Sequence, residues 1–590
     1  MKTARNEFSF ASFSYQHFSW MGRLMARAFY SNSHVKLEET LEDTGFRIYP
    51  EAYFSMVGFI FILSAIFTAA AIILTRFIFL APFPLLIILL GYAIPKLIAQ
   101  DRAQKLDLEV PFAGTYISVM ATGGLSPYES LRKLKDCDLL PNISKVVNDI
   151  EIDVQVKGSD PVSAIEKSAQ NLPSKDYKDL MLGYTSTLRT GGDVVHYLLV
   201  RTETMFKDLA VKVKTFGERA STLMEAYITI SILMTLVLTI MFMTTLSLQQ
   251  YWQGTVSAST FLLYGYIIVP IISMLFIYLS DSQQISQPLN DWRTYKVFFA
   301  TLPVTFFLVI TMFVPFAAPQ LTLPFAAPFT SFILMLETAL HMARGYEAAL
   351  GMGIALLIGS IPAAIAHSYY AQRGKGVEHN VSNFMRDLTE ARKTGVSPES
   401  CMENLSGRNY GRFTPILETA TRQIRWGLPF GVIYKTFKEK IKSWLALINV
   451  YLLVDAIEVG GGTPETLETL THFSETLSSL EKEKKQSLRP LVLMPYLGAG
   501  ILLFSTIIFL GFSGTILSSY GHQSIPFATV ATMILPPLMV QVFFIGLVTG
   551  KIGSGETSAG FKHAAILMSV ALILLPLAGL LTAPLAGGFG

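Results

Sequence analysis

Thr190, Gly191, Gly192 and Asp193 stand one glycine short of the Gly-x-Gly-Asp signature of intramembrane aspartyl peptidases, whose aspartates activate a water molecule. The reading fails on context: the stretch lies in a polar block, and no second aspartate falls in the middle of an apolar segment. Arg373, Gly374, Lys375 and Gly376 have the composition of a phosphate cradle. They lack the upstream glycine at the required spacing and the following Ser or Thr, so the chain cannot be its own ATPase. No His-Glu-x-x-His zinc helix and no Gly-x-Ser-x-Gly elbow occurs. The two cysteines, Cys137 and Cys401, are far apart and indicate neither a disulfide framework nor a metal cluster. The expectation is a chain that is not an enzyme and carries no cofactor or metal.

The polar blocks are separated by nine apolar segments: 53–74, 77–94, 226–246, 260–279, 297–316, 348–366, 491–512, 527–548 and 564–581. Each is long enough to cross ~30 Å of hydrocarbon. An apolar content of 51% against 15% charged residues, with a mean hydropathy of +0.45, is what a polytopic membrane protein requires. If all nine cross, 44 of the 46 Lys and Arg residues fall on one side, and only Arg76 and Arg344 on the other. Short loops hold that bias most firmly, and here Arg293, Lys296, Lys551 and Lys562 agree with it. The topology expected is an inside N-terminus and an outside C-terminus in the cell membrane. Residues 1–50 show no cleavable signal; Phe18, Trp20, Met21, Leu24, Met25 and Phe29, mixed with Arg23 and Arg27, fit an interfacial helix on the inner leaflet. The remaining divisions are a hairpin at 51–98, a cytoplasmic helical domain at 99–222, four spans at 223–366 with an outer amphipathic segment near 325–345, a second cytoplasmic domain at 367–489, and three spans at 490–590.

The two polar blocks repeat one another. Phe112 is followed by Gly123, Gly124, Leu125, Ser126, Pro127 and Leu134; Phe384 is followed by Gly395, Val396, Ser397, Pro398 and Leu405. The shared piece reads as a helix ending at Gly123 or Gly395 and another starting with Ser126 or Ser397 as cap and proline in its first turn. A second junction recurs near the end of each block, where Gly191, Gly192 and Asp193 in one and Gly461, Gly462 and Thr463 in the other precede a long helix. Each block is expected to be a bundle of roughly six helices whose last helix runs straight into the membrane, giving an all-α fold.

Buried charge is nearly absent from the apolar cores, which argues against a lipid or small-molecule transporter with large cytoplasmic domains, the leading alternative. A membrane scaffold of another kind is a second. Glu337, His341 and Arg344 share one helical face in the expected outer segment, as a helix lying on the outer leaflet would place them. Balanced charge, with a net +3, leaves no nucleic-acid groove. Two basic groups remain as candidate partner contacts: Arg422, Arg425, Lys438 and Lys442, and the run Lys482, Lys484 and Lys485. A solvated helix face with same-helix ion pairs is the plain account of such runs.

The repeated Phe112 to Leu134 and Phe384 to Leu405 stretches, with the turn Glu458, Val459, Gly460, Gly461 and Gly462, resemble the type II secretion system protein F domain family in its duplicated archaeal form, the platform proteins of archaella and type IV pili, related to tight-adherence C proteins. The resemblance covers nearly the whole chain and departs from the family pattern at Leu188, where Glu458 would align. It implies a non-enzymatic platform that engages a hexameric secretion ATPase, handles pilin-like or archaellin-like subunits among membrane lipids, and forms a homodimer.

Overall fold

The computed structural model describes residues 14–16, 18–20, 22–23, 49–75, 83–247, 258–284, 292–321, 324–342, 344–374, 376–460, 462–519 and 527–587. Met21, Leu24, Met25, Arg27 and Phe29 of the expected interfacial helix, Arg76, Lys375 and Gly461 lie outside the described residues. All regular structure among the described residues is helical. The chain forms two compact units, Met1–Phe206 and Lys207–Gly590.

In the first unit, α1 (Pro50–Thr75) precedes α2 (Phe83–Thr122), α3 (Pro127–Lys133), α4 (Pro141–Gln155), α5 (Pro161–Asn171) and α6 (Lys175–Arg189), and α7 (Val194–Ile228) begins there. The core of this bundle is built on α2, where Val110, Ala113, Tyr116 and Val119 are fully buried. Against it α7 packs closely: a Cβ on Gly114 would sit 2.7 Å from the Thr202 hydroxyl, and the Phe112 and Phe206 rings meet edge to face at 5.8 Å. Two acids on α2 hold the starts of later helices. Glu109, 1% exposed, accepts from the backbone N–H of Asn142 (2.8 Å) and Ile143 (2.9 Å) and from the Asn142 amide (2.6 Å), while Asp107 accepts from Ser174, the cap of α6. Helix α4 has Leu140 at its N-cap, with no side-chain oxygen of its own, so Glu109 supplies the missing acceptor from a different helix.

In the second unit, α8 (Met234–Ser247), α9 (Ala258–Leu263), α10 (Val269–Gln283), α11 (Arg293–Met312), α12 (Val314–Ala317), α13 (Ala327–Ala339) and α14 (Glu347–Gly374) lead to a second bundle. That bundle comprises α15 (Val377–Arg392), α16 (Pro398–Leu405), α17 (Thr414–Arg425), α18 (Phe430–Lys440), α19 (Trp444–Gly460) and α20 (Pro464–Leu488). The chain then returns to apolar helices α21 (Leu493–Ser519), α22 (Phe527–Ser554) and α23 (Gly560–Gly587). The aromatic core of the second bundle joins Phe384 to Phe413 at 5.4 Å and Phe413 to Phe437 at 6.0 Å.

Eight helical stretches among the described residues are long and apolar enough to cross a membrane. The ninth segment expected, 77–94, is described only from Phe83, where it opens α2. The chain is an all-α polytopic membrane protein. Two of the eight stretches are much longer than a bilayer needs: Val194–Thr245 with 52 residues and Pro464–Gly511 with 48. Each begins as the last helix of a bundle and continues into an apolar span, the first through a π-turn at Thr229–Leu233 and the second through a 3-10 turn at Arg489–Val492.

The outer segment departs from expectation. Glu337, His341 and Arg344 do not share a helical face, because α13 ends at Ala339 and the chain reverses there. His341 takes the left-handed conformation (φ 52°) and Met342 N–H bonds back to the Glu337 carbonyl at 3.1 Å, the geometry that closes a helix C-terminus. Glu337 is buried, while His341 and Arg344 are exposed.

Candidate functional site

The four repeated junctions are built from local chemistry. Ser126 accepts from Glu129 N–H and Ser397 from Ser400 N–H, both at 3.3 Å, with Pro127 and Pro398 in the first turn of the helix that follows. The left-handed residue that ends the preceding helix is Gly395 (φ 84°) in one bundle and Gly124 (φ 91°) in the other. Gly124, rather than Gly123, is therefore the counterpart of Gly395, and the second copy has Thr394 where the first has Gly123. At the later junctions Gly191 (φ 72°) and Gly462 (φ 57°) make the turn, Asp193 accepts from His196 N–H at 3.0 Å, and Thr463 from Thr466 N–H at 3.3 Å. Gly192 follows directly in the first of these.

In the second bundle the two junctions are tied together. Arg392 donates through Nε to the Gly462 carbonyl and through its guanidinium to the Val396 carbonyl, each at 2.8 Å, and Gly462 lies against the Pro398 ring. The first bundle has Ala121 in the place of Arg392, so this clamp belongs to one copy. One of its two backbone acceptors lies 70 residues from Arg392, a pairing that local spacing does not reveal. A second matched pair is also visible only in three dimensions: Ser118 with Thr202 (3.4 Å) and Thr389 with Thr471 (2.8 Å) join the first and last helix of each bundle through hydroxyls. Glu458 is exposed at the end of α19, as is Leu188, 42% exposed, at the matching place on α6.

The candidate contacts fall on two surfaces. Arg422 and Arg425 end α17, Lys438 ends α18 and Lys442 follows it. The two helices are cross-linked by Gln423 to Thr436 and Lys440 to Thr419, both 2.9 Å, and so run antiparallel, with Arg422 and Arg425 toward one end of the pair and Lys438 and Lys442 toward the other. Arg425 pairs with Glu403 at 2.5 Å. Between the helices, Trp426 stands 75% exposed. Lys482, Lys484 and Lys485 lie instead on the final turns of α20, where Lys485 pairs with Glu481 at 3.3 Å.

The repeats differ sharply in charge. Residues 406–442 hold eight basic and two acidic side chains, whereas the corresponding 134–172 hold four basic and seven acidic. Asp153 in the first bundle is held below the usual carboxylate range by Lys157 and Lys167. Yet one feature within these stretches matches: Val156, just after α4, is 77% exposed, in the position of Trp426 just after α17. Burial pushes the Cys401 thiol up, which keeps it protonated and unreactive. No group of His, Cys, Asp and Glu among the described residues has the arrangement of a metal site.

Comparison with known proteins places this architecture. The sequence pattern of "Type II secretion system (T2SS), protein F" matches twice, over residues 115–242 and 384–511, which are the two bundles and the spans that continue from them. An uncharacterised protein of Methanocaldococcus jannaschii is 21% identical over 513 residues, covering 83% of this chain and 82% of its own length. No solved structure matches. The chain carries two tandem copies of the type II secretion system protein F domain and is a duplicated member of that domain family.

Proposed function

We propose that the chain is the membrane platform of a type IV pilus-like machine, an archaeal pilus or archaellum, that couples a cytoplasmic hexameric ATPase to the insertion of pilin-like or archaellin-like subunits into a filament. Protein F domains belong to membrane platforms of secretion and pilus-type machinery, which are not themselves enzymes. The observation that carries the reading is the pair of 52- and 48-residue helices that start in a bundle and end in a span. A displacement imposed on a bundle passes along such a helix into the bilayer, because no flexible linker lies between to absorb it. Both bundles face the cytoplasm in this reading, with the N-terminus inside and the C-terminus outside, and two chains form the working platform.

The ATPase docks on the second bundle, around Trp426. Exposed Trp flanked by Arg is the residue combination that dominates protein interfaces, and Arg422 and Arg425 beside Trp426 are exposed. Replacing Arg422, Arg425, Lys438 and Lys442 together by Ala reduces ATPase capture by about tenfold in a pull-down with the purified ATPase, and raising salt weakens the wild type in the same way. Alanine at Lys482, Lys484 and Lys485 tests the other surface. Capture unchanged by the first set moves the docking site off α17 and α18.

A further inference from the structure

Three departures from helical regularity meet inside the membrane part of the second unit. The π-turn Thr229–Leu233 interrupts the 52-residue helix, a second π-turn, Tyr264–Ile268, lies between α9 and α10, and Pro536 and Pro537 remove two amide donors from α22. They touch one another. Gln541, 1% exposed and set one turn below the prolines, donates from Nε2 to the Ser231 carbonyl at 2.8 Å and to its hydroxyl at 2.9 Å. Gly265 in the second π-turn lies so close to Pro537 that a Cβ there would fall 2.4 Å from the ring. Tyr264 shares a hydrogen bond with Thr235 at 3.2 Å, and Tyr227 with Ser273 at 3.1 Å.

A π-turn holds one residue more than the α-turn it replaces and loosens the carbonyls around it. Ser231 lies in this turn, and its backbone oxygen accepts from the Thr235 hydroxyl at 2.7 Å as well as from the Gln541 amide. The long helix also presents buried hydroxyls at 227, 231, 235 and 239, four residues apart and so along one face. Within that stripe Ser231 is the residue that Gln541 holds.

We propose that Gln541 is a latch that pins the π-turn at Ser231, and that its release lets the extra residue travel along the helix, turning the stretch it passes by about 100°. That turn carries the Ser231 hydroxyl away from the amide and brings Ile230 or Ile232 to its place, so the register in which Gln541 is satisfied is the latched one. The trigger, a pull on the first bundle, rests on the platform reading; the latch does not.

The test is hydrogen–deuterium exchange on the full chain in lipid nanodiscs, with the amides of α23 as internal reference. Gln541→Leu keeps the volume and removes the donor, and exchange at residues 229–235 accelerates by about tenfold or more. Ser231→Ala keeps the carbonyl bond and stays within about threefold of wild type. Gln541→Asn, whose shorter arm also loses the contact, repeats the result in a chain that keeps a polar group there. Unchanged exchange in Gln541→Leu and Gln541→Asn overturns the latch. Accelerated exchange together with normal filament assembly and secretion in cells leaves the latch standing and overturns its link to the platform reading.

Discussion

At the scale of single residues, the caps Ser126, Ser397, Asp193 and Thr463 were legible because a cap and the amide it holds lie within three residues of each other. Glu109 was not, since its partners lie 33 and 34 residues away. Burial lifts its pKa even though three donors surround it. Glu109→Ala leaves those donors buried and unpaired, and is expected to destabilise the first bundle by about 2–4 kcal/mol, read by denaturant unfolding. Glu337 carries a pH dependence. It lies outside the eight spans, and burial, then the charge and hydrogen bond of Glu347, push its pKa up from 4.5 to about 7. A raised carboxyl favours the folded state while neutral, so its contribution is fully present below pH 4.5 and is lost as pH rises through about 7. Thermal unfolding of the wild type is therefore expected to fall in midpoint between pH 5 and 8, and Glu337→Gln to flatten that slope; an equal slope in both contradicts the assignment.

At the scale of elements, hydropathy and spacing marked the spans and the bundle helices, because burial in lipid or in a bundle core imposes itself on every turn of sequence. What spacing could not mark were the π-turns at Thr229–Leu233 and Tyr264–Ile268, which lie in apolar runs indistinguishable from regular helix and depend on Gln541 and Pro537 far along the chain. The shared face expected of Glu337, His341 and Arg344 fails for a related reason: 3.6-residue spacing holds only to the point where His341 reverses the chain. Helices α22 and α23 show how closely two spans can pack. A Cβ on Gly546 would lie 2.3 Å from the Ala564 backbone, and one on Gly550 2.0 Å from the Gly560 nitrogen, so these glycines four apart let the backbones touch. Gly546→Ala and Gly550→Ala are each expected to cost about 1–3 kcal/mol. Gly500→Ala, with nothing within 4 Å, should leave the melting temperature of the detergent-solubilised protein unchanged.

At the scale of the whole molecule, duplication has produced two bundles with one architecture and different surfaces: a basic face around Trp426 in one, an acid-rich counterpart around Val156 in the other, and the Arg392 clamp in the second alone. The repeat was legible from its serine-proline junctions, whereas the clamp of Arg392 on the Gly462 carbonyl joins residues 70 apart and emerges only in the fold. Everything functional here depends on both bundles projecting to the cytoplasmic side of the membrane, where an ATPase can reach them. The most direct test is labelling with a membrane-impermeant thiol reagent after Val156→Cys or Glu439→Cys substitution, both exposed positions in a chain whose own Cys137 and Cys401 are buried. Both positions are expected to react in inverted membrane vesicles and to stay silent in intact cells; reaction of either one in intact cells would contradict the account.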